Sequence, residues 1–325
     1  MKKIWIALIL VLISVAGIVG YSLFGIELTE EVVFNTTQAT TLDEFMEASM
    51  TPEQWESGLS WAGIIRNFKT ISPGKYKLSA GLTPWKAIVL LRQGDNSVLL
   101  IRSDEYRTLE GFCKSLSDEL SFLQEDYLKA FTQLAPLPTA TTFVFADTYD
   151  FRYSESPEKI AQRFKKIHDE FWNAERVEKA KKINLTPEQV YILASMVKGE
   201  TKHFEEAKII AGLYLNRLKV PMKMQCDATV KFANEDWEGQ RITQSESKVN
   251  SPYNTYDVDG LPPGPIFITE KKYIDAVLNA DQNNFIYMCA KDDGSGYHWF
   301  TNDSRQHINY ANRYHRYLDS MNIKE

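Results

Sequence analysis

The stretch Thr186 to Lys208 reads "TPEQVYILASMVKGETKHFEEAK", and its first four residues mark the start of a helix. Thr186 is an N-cap residue, Pro187 suits the first helical position, and Gln189 completes a capping box. Leu185 and Val190 stand at the spacing of a hydrophobic staple. With the start fixed, so is the phase. Val190, Leu193, Ala194 and Val197 recur at helical spacing, and the same count arrives at Glu200. A carboxyl held against apolar side chains is harder to ionise, because desolvation disfavours the charged form. That is the state a general acid requires near neutral pH. The alternative is that Gly199 ends the helix and lets Glu200 turn to solvent or cap the next helix.

Downstream, "FEEAKIIAGLYLNRLK" is a second amphipathic helix, "TEKKYIDAVLNA" a third, and "SRQHINYANRYHRYLDS" closes the chain as a helix. "FIYMCAKDDGSGYHWF" reads as a hairpin turning through Asp292 to Gly296. Upstream, "TLDEFMEAS" and "PEQWESGLSWAGIIRNF" read as short helices. "GKYKLSAGLTPWKAIVLLRQG" reads as a strand, a turn and a helix opened by Thr83 and Pro84, and "SVLLIRS" as a strand. Leu109, Phe112, Leu116, Leu120 and Leu123 form the stripe of one helix within Asp104 to Ala135, and the Pro/Thr cluster "LAPLPTATT" breaks it. "FVFADTYDFRY" is strand-like, and "SPEKIAQRFKKIHDEFWNAERVEKAKKIN" reads as one long amphipathic helix. The fold class expected is α+β. Residues 1–25 form an apolar segment, 26–104 a small α+β module with its linker, 105–142 a helical connection and 143–325 a larger α+β domain.

"MKKIWIALILVLISVAGIVGYSLFG" places Lys2 and Lys3 before an uncharged run, Ile4 to Phe24, long enough as a helix to cross a hydrocarbon core of roughly 30 Å. A signal peptide is the alternative. The run exceeds the usual apolar core of about 7–15 residues, no A-x-A site follows and no Cys offers a lipid attachment point, which favours a retained anchor. Two lysines lie ahead of it and no Lys or Arg follows until Arg66, which puts the N-terminus in the cytoplasm and the rest outside.

A net charge of −6 offers a polyanion no basic surplus, which argues against nucleic acid as a partner. Cys113, Cys226 and Cys289 are odd in number and widely spaced, so they build neither a disulfide framework nor a metal site. Glu200 and His203 match E-x-x-H, but di-metal carboxylate sites need a second copy, which the chain lacks, and its histidines show no zinc spacing. No metal or cofactor is expected. "GLSWA" around Ser60 comes nearest a G-x-S-x-G elbow but ends in Ala62, and no P-loop or dinucleotide glycine pattern occurs. "MQCDATVKFA" and "NSPYNTYDVDGLPPGPI" are dense in polar and aromatic residues without helical periodicity. Gln225, Asp227, Asn254, Thr255 and Tyr256 suit a carbohydrate groove, although turns favour the same residue types. Asp227 is also a candidate second carboxylate, since most glycoside hydrolases use a pair.

"ILASMVKGET", "IIAGLYLNRLKVPMKMQCDATVKF", "SPYNTYDVDGLPPGPI" and "GYHWFTNDSRQHINY" follow one another in an order that resembles the YceG-like (MltG) endolytic murein transglycosylases from about Leu185 to the C-terminus. "ISPGKYKLSAGLTPWKAIVLLRQG" resembles that family's LysM-like module, and "ADTYDF" its P-D-T-Y element with Ala146 in place of Pro. The resemblance implies a membrane-anchored lyase. It would cut nascent peptidoglycan strands between N-acetylmuramic acid and N-acetylglucosamine, leave 1,6-anhydro ends and act beside peptidoglycan synthases at the inner membrane. It implies Glu200 as the catalytic acid, with Gln225, Asp227, Asn254, Tyr256 and Asn302 positioning the glycan. Two residues depart from the family pattern. Gly199 replaces a charged or long side chain, and Ala228 replaces Pro after Cys226 and Asp227. The rivals are a muramidase-type hydrolase using Asp227 or Glu205 as second carboxylate, and a non-catalytic peptidoglycan-binding scaffold.

Overall fold

The computed structural model describes residues 2–49, 51–94, 98–236 and 246–321. The chain divides into two units. The first comprises residues 1–101, 116–123 and 150–156, and the second 102–115, 124–149 and 157–325. The expected connection, 105–142, is therefore shared between the units rather than being a separate piece.

The first unit opens with α1 (Lys2–Phe24), whose span Ile4–Phe24 reaches a mean hydropathy of 2.6 with none of that window buried. By length and composition it can cross a membrane, a test that a signal sequence also passes. Then come β1 (Val32–Thr36), β2 (Thr40–Thr41), α2 (Leu42–Ser49), α3 (Glu53–Arg66), β3 (Thr70–Ile71), β4 (Gly74–Leu78), α4 (Pro84–Gln93) and β5 (Val98–Arg102). β1 and β4 pair antiparallel with Phe34 opposite Tyr76, β2 and β3 pair likewise, and α2 and α3 lie between in sequence. Asn67 ends α3 at φ 48°, a left-handed conformation that Asn tolerates, and sends its N–H back to the Ile64 carbonyl. Phe45, Trp55, Leu59, Tyr76, Leu78 and Ile88 form the core, joined by Leu23 from the end of α1.

Two of the expected long helices are each divided. The first is α5 (Leu109–Glu119) and α6 (Gln124–Thr132). Leu109 to Leu120 keep the stripe buried, but Ser121 donates its N–H to the Tyr153 carbonyl instead of a helical partner, and Leu123 is left 65% exposed. Past β6 (Thr148–Arg152), the second is α7 (Pro157–Phe171) and α8 (Ala174–Lys182). Asn173 takes the N-cap of α8 by accepting the Arg176 N–H at 3.0 Å, an alternative to helix that an apolar residue would not offer.

α9 (Pro187–Glu200) is the axis of the second unit. It packs against α8, α10 (Ala207–Lys219), α11 (Asp227–Ala233) and α12 (Lys271–Leu278). Every residue from Val190 to Val197 is buried, so the helix has no solvent face rather than the single apolar face the spacing suggests. Its polar side chains are satisfied internally. Ser195 donates to the Ile192 carbonyl and accepts the Ile266 N–H, while Tyr191 donates to the Val144 carbonyl and accepts the Thr269 N–H. α11 lies in "MQCDATVKFA", a stretch without helical periodicity in the sequence. The hairpin β7 (Tyr287–Ala290) and β8 (His298–Thr301) pairs antiparallel with Cys289 opposite Trp299, and α13 (Ser304–Ser320) packs on it.

Candidate active site

The capping box forms as the sequence predicts. Thr186 Oγ1 accepts the Gln189 N–H at 3.3 Å and the Gln189 side chain accepts the Thr186 N–H at 2.9 Å. The helix runs without a break through Gly199, and Glu200 is its last residue. Gly199 does not loosen this end. A β-carbon built there would lie 2.6 Å from Ala228 Cβ and 3.0 Å from Phe267 Cε2, so the missing side chain is what lets α11 and the Ile266–Phe267 segment close on α9. The helix continues far enough to carry Glu200 into the group that α11 brings up.

Glu200 keeps some exposure as a residue, but its carboxyl is packed round by protein. Tyr214, two turns into α10, donates its hydroxyl to Glu200 Oε1 at 2.7 Å. The buried Cys226 directs its thiol at the same carboxyl. Burial pushes the Glu200 pKa above the ordinary carboxylate range, and the negative charge of Asp227 adds to the rise. The Cys226 and Tyr214 hydrogen bonds and the nearby His298 pull the other way without cancelling it. A neutral Glu200 has one oxygen engaged by Tyr214 and the other left for the proton. Once ionised, it is met by two donors.

Asp227 is exposed at the first turn of α11 and accepts a 2.5 Å hydrogen bond from Tyr256 Oη. The loop that brings Tyr256 there is tied to the start of α11 at three points. Gln225, at φ 46°, gives its N–H to the Thr255 carbonyl, Cys226 gives its N–H to Thr255 Oγ1, and Thr229 and Thr255 share a 2.8 Å hydroxyl contact. Asn254 is wholly buried. Its Nδ2 donates to the Ser247 and Val249 carbonyls and to Asp257 Oδ2, and its Oδ1 accepts the Tyr256 N–H. Its amide is thus engaged within the loop and holds the Tyr256 backbone.

Of the residues expected from sequence, Glu200 and Asp227 are brought together, with Tyr256 attached through Asp227. Gln225 is exposed next to Cys226. Asn302 is exposed just past β8, and among the described residues its side chain makes no hydrogen bond. Tyr214 and Cys226 were not expected in the site. Tyr214 sits in "GLYLNRL", where an aromatic among leucines reads as core, and it is indeed wholly buried. A second carboxyl, Glu206, is buried at 5% exposure. It accepts the His298 N–H and His298 Nδ1, both at 2.8 Å, and the Thr201 hydroxyl at 3.2 Å. Tied this way, the hairpin presents His298 near Glu200. His203 stacks on Tyr297 at 3.7 Å and contacts the Ser295 carbonyl, a packing role in the hairpin. All three cysteines are free.

The architecture is thus α+β, with one enclosed carboxyl at the end of a buried helix. The chain belongs to the YceG-like family, whose model matches residues 32–313. It is 30% identical over 183 residues to the endolytic murein transglycosylase of Bacillus subtilis, an alignment covering 56% of this chain and 49% of that protein. It is 27% identical over 216 residues to the endolytic murein transglycosylase of Streptococcus pneumoniae, covering 62% of this chain and 38% of the relative. The chain thus spans half or less of the length of these relatives. A crystal structure of a YceG-like protein from Listeria monocytogenes shares the fold with a TM-score of 0.55 at 20% identity, over 86% of this chain and 98% of that one.

Proposed function

We propose that this chain is a membrane-anchored lytic transglycosylase that cuts peptidoglycan strands internally, with Glu200 as its acid and base. The observation that carries the reading is the enclosed Glu200 carboxyl, whose pKa burial and the charge of Asp227 push up, toward the protonated form that a general acid needs. Glu200 gives its proton to the glycosidic oxygen between N-acetylmuramic acid and N-acetylglucosamine, and the C1–O bond breaks. The carboxylate left behind is met by the Tyr214 hydroxyl and the Cys226 thiol. It then takes the proton of the muramyl C6 hydroxyl as that oxygen closes on C1. The products are a free N-acetylglucosamine end and a 1,6-anhydro end, and no water is consumed. A hydroxyl already tethered beside C1 has the entropic advantage that a diffusing water lacks.

Asp227, Tyr256, Gln225 and Asn302 position the glycan, and Asn254 holds the loop that carries Tyr256. α1 stays in the membrane with the N-terminus in the cytoplasm, so the rest of the first unit and the second unit work outside it, where strands emerge from their synthases. The β1-α2-α3-β4 order of the first unit suits a LysM-like, glycan-holding module.

One observation favours a second reading. Asp227 lies close enough to raise the pKa of Glu200, and a paired carboxylate is what a water-using muramidase needs. Mass spectrometry of digested peptidoglycan separates the two, because an anhydro end is lighter than a hydrolysed end by one water. Anhydromuramyl ends made by the wild type and lost in Glu200→Gln are expected. Reducing muramyl ends would establish the hydrolase, and intact glycan would leave a binding scaffold.

A further inference from the structure

Among the described residues of the first unit, one face of α3 is an uncovered apolar surface close to the exit of α1, separate from the exposed Val98 and Leu100 of β5. α3 buries Trp55, Leu59 and Ala62 in the core and turns Trp61, Ile64 and Ile65 outward at 41%, 70% and 53% exposure. Spacings of three and four residues put these on one face, and after Glu53 the exposed residues of the helix (Gln54, Ser57, Trp61, Ile64 and Ile65) carry no charge. What fixes the place of this face is Gly58. A β-carbon built there would lie 2.1 Å from the Ser22 carbonyl and 2.7 Å from Pro84 Cγ, so α3 meets the last turn of α1 backbone to backbone. Leu23 is 4% exposed in the same core, and Phe24 packs on Trp85 at 5.5 Å, with the Arg66 guanidinium 4.2 Å over that indole.

From Gly58 to Ile64 is about 9 Å along a helix, and the interfacial layer of a bilayer is on the order of 5–10 Å deep. If α1 spans the membrane, Trp61 and Ile64 emerge within that layer of the point where it leaves. Trp and Tyr prefer this depth; Tyr21 lies in the last turn of α1, Trp85 packs on Phe24, and Trp61 stands one helical turn beyond Gly58.

We infer that the Trp61–Ile64–Ile65 face of α3 docks on the bilayer surface, laying the first unit against the membrane. The inference rests on α1 remaining as an anchor. A second copy of the chain is the other candidate occupant, but it does not explain why the face adjoins the membrane exit.

The test uses the full chain with its three cysteines replaced by serine, reconstituted in phosphatidylethanolamine/phosphatidylglycerol vesicles. An environment-sensitive fluorophore is attached at Ile64→Cys or, as an exposed control, at Glu47→Cys. Lipids brominated near the headgroup should quench the label at 64 at least threefold more than the label at 47. Trp61→Ser with Ile65→Ser should abolish the difference while the chain resists carbonate extraction. Equal quenching at both positions, with the chain still resistant to carbonate, would overturn the docking and spare the anchor. A blue-shifted label at 64 without lipid quenching would assign the face to another protein surface and also overturn it. Release of the chain by carbonate would overturn the anchor, and the docking with it.

Discussion

Gly199→Ala separates close packing from simple tolerance at the end of α9. The added methyl would sit 2.6 Å from Ala228 Cβ and 3.0 Å from Phe267 Cε2, where carbon atoms prefer about 3.5–4.0 Å. α11 must therefore retreat by about 1 Å. Overpacking of this kind costs about 1–3 kcal/mol. Helix propensity returns up to about 1 kcal/mol, since Ala is favoured over Gly. The net expectation is a loss of about 1 kcal/mol, read from the urea midpoint of the full chain in detergent. Activity should suffer more than stability, because α11 begins with Asp227 and follows directly on Cys226. A 1 Å displacement near the chemistry can cost about 100-fold in rate. The clash is specific to one pair, so Ala228→Gly in the same chain should restore most of the rate, with a coupling of about 1–2 kcal/mol in the double-mutant cycle. If Gly199→Ala instead stabilises the chain by about 1 kcal/mol at full activity, the close approach is not what Gly199 provides.

Glu200→Gln should lower glycan cleavage by at least about 100-fold, the usual contribution of a general acid, while leaving the fold intact. The rate must fall as pH rises through the raised pKa of Glu200, since only the protonated form starts the reaction. Asp227→Asn removes a charge that raises that pKa, so the alkaline fall moves to lower pH, whereas Tyr214→Phe removes a bond that lowers it and moves the fall to higher pH. Between the ordinary and the raised pKa the folded chain holds more protons than the unfolded one, so Glu200 costs stability as pH rises, and Glu200→Gln should lift the melting temperature more at pH 8 than at pH 4. Asn254→Ala deletes four internal hydrogen bonds and should cost about 2–4 kcal/mol, with KM rising as the Tyr256 loop loosens, measurable by urea unfolding and glycan titration.

Local chemistry was legible and spatial partnership was not. The capping box set the phase of α9 and thereby the place of Glu200, because Thr186, Pro187 and Gln189 act on their own neighbours. The hairpin through Asp292 to Gly296 was visible for the same reason. The division between α5 and α6 is set by Ser121 bonding the distant Tyr153 carbonyl, a spatial partnership, and at α7 and α8 a continuing apolar stripe outweighs the local cap of Asn173. Tyr214 escaped because nothing in "LYLNRL" distinguishes a core tyrosine from one whose hydroxyl meets a carboxyl 14 residues earlier. Asn254 shows the converse. A polar residue in a polar loop looks ready for a ligand, and only the fold reveals the four internal hydrogen bonds of its amide.

The two departures from the family pattern turn out to be neighbours. Taken separately, Gly199 threatened to end the helix early and Ala228 to misplace the loop of Asp227. In the structure the missing side chain of Gly199 faces the methyl of Ala228 at a distance that admits nothing larger. Neither residue then needs a separate account. A small residue on α9 lets α11 approach, and a small residue on α11 fills the space without pushing it back. That approach brings the Cys226 thiol and the Asp227 charge up to Glu200, one stabilising its ionised form and the other opposing it. The enclosure that raises the pKa of Glu200 is therefore built partly from the residues that seemed to endanger it.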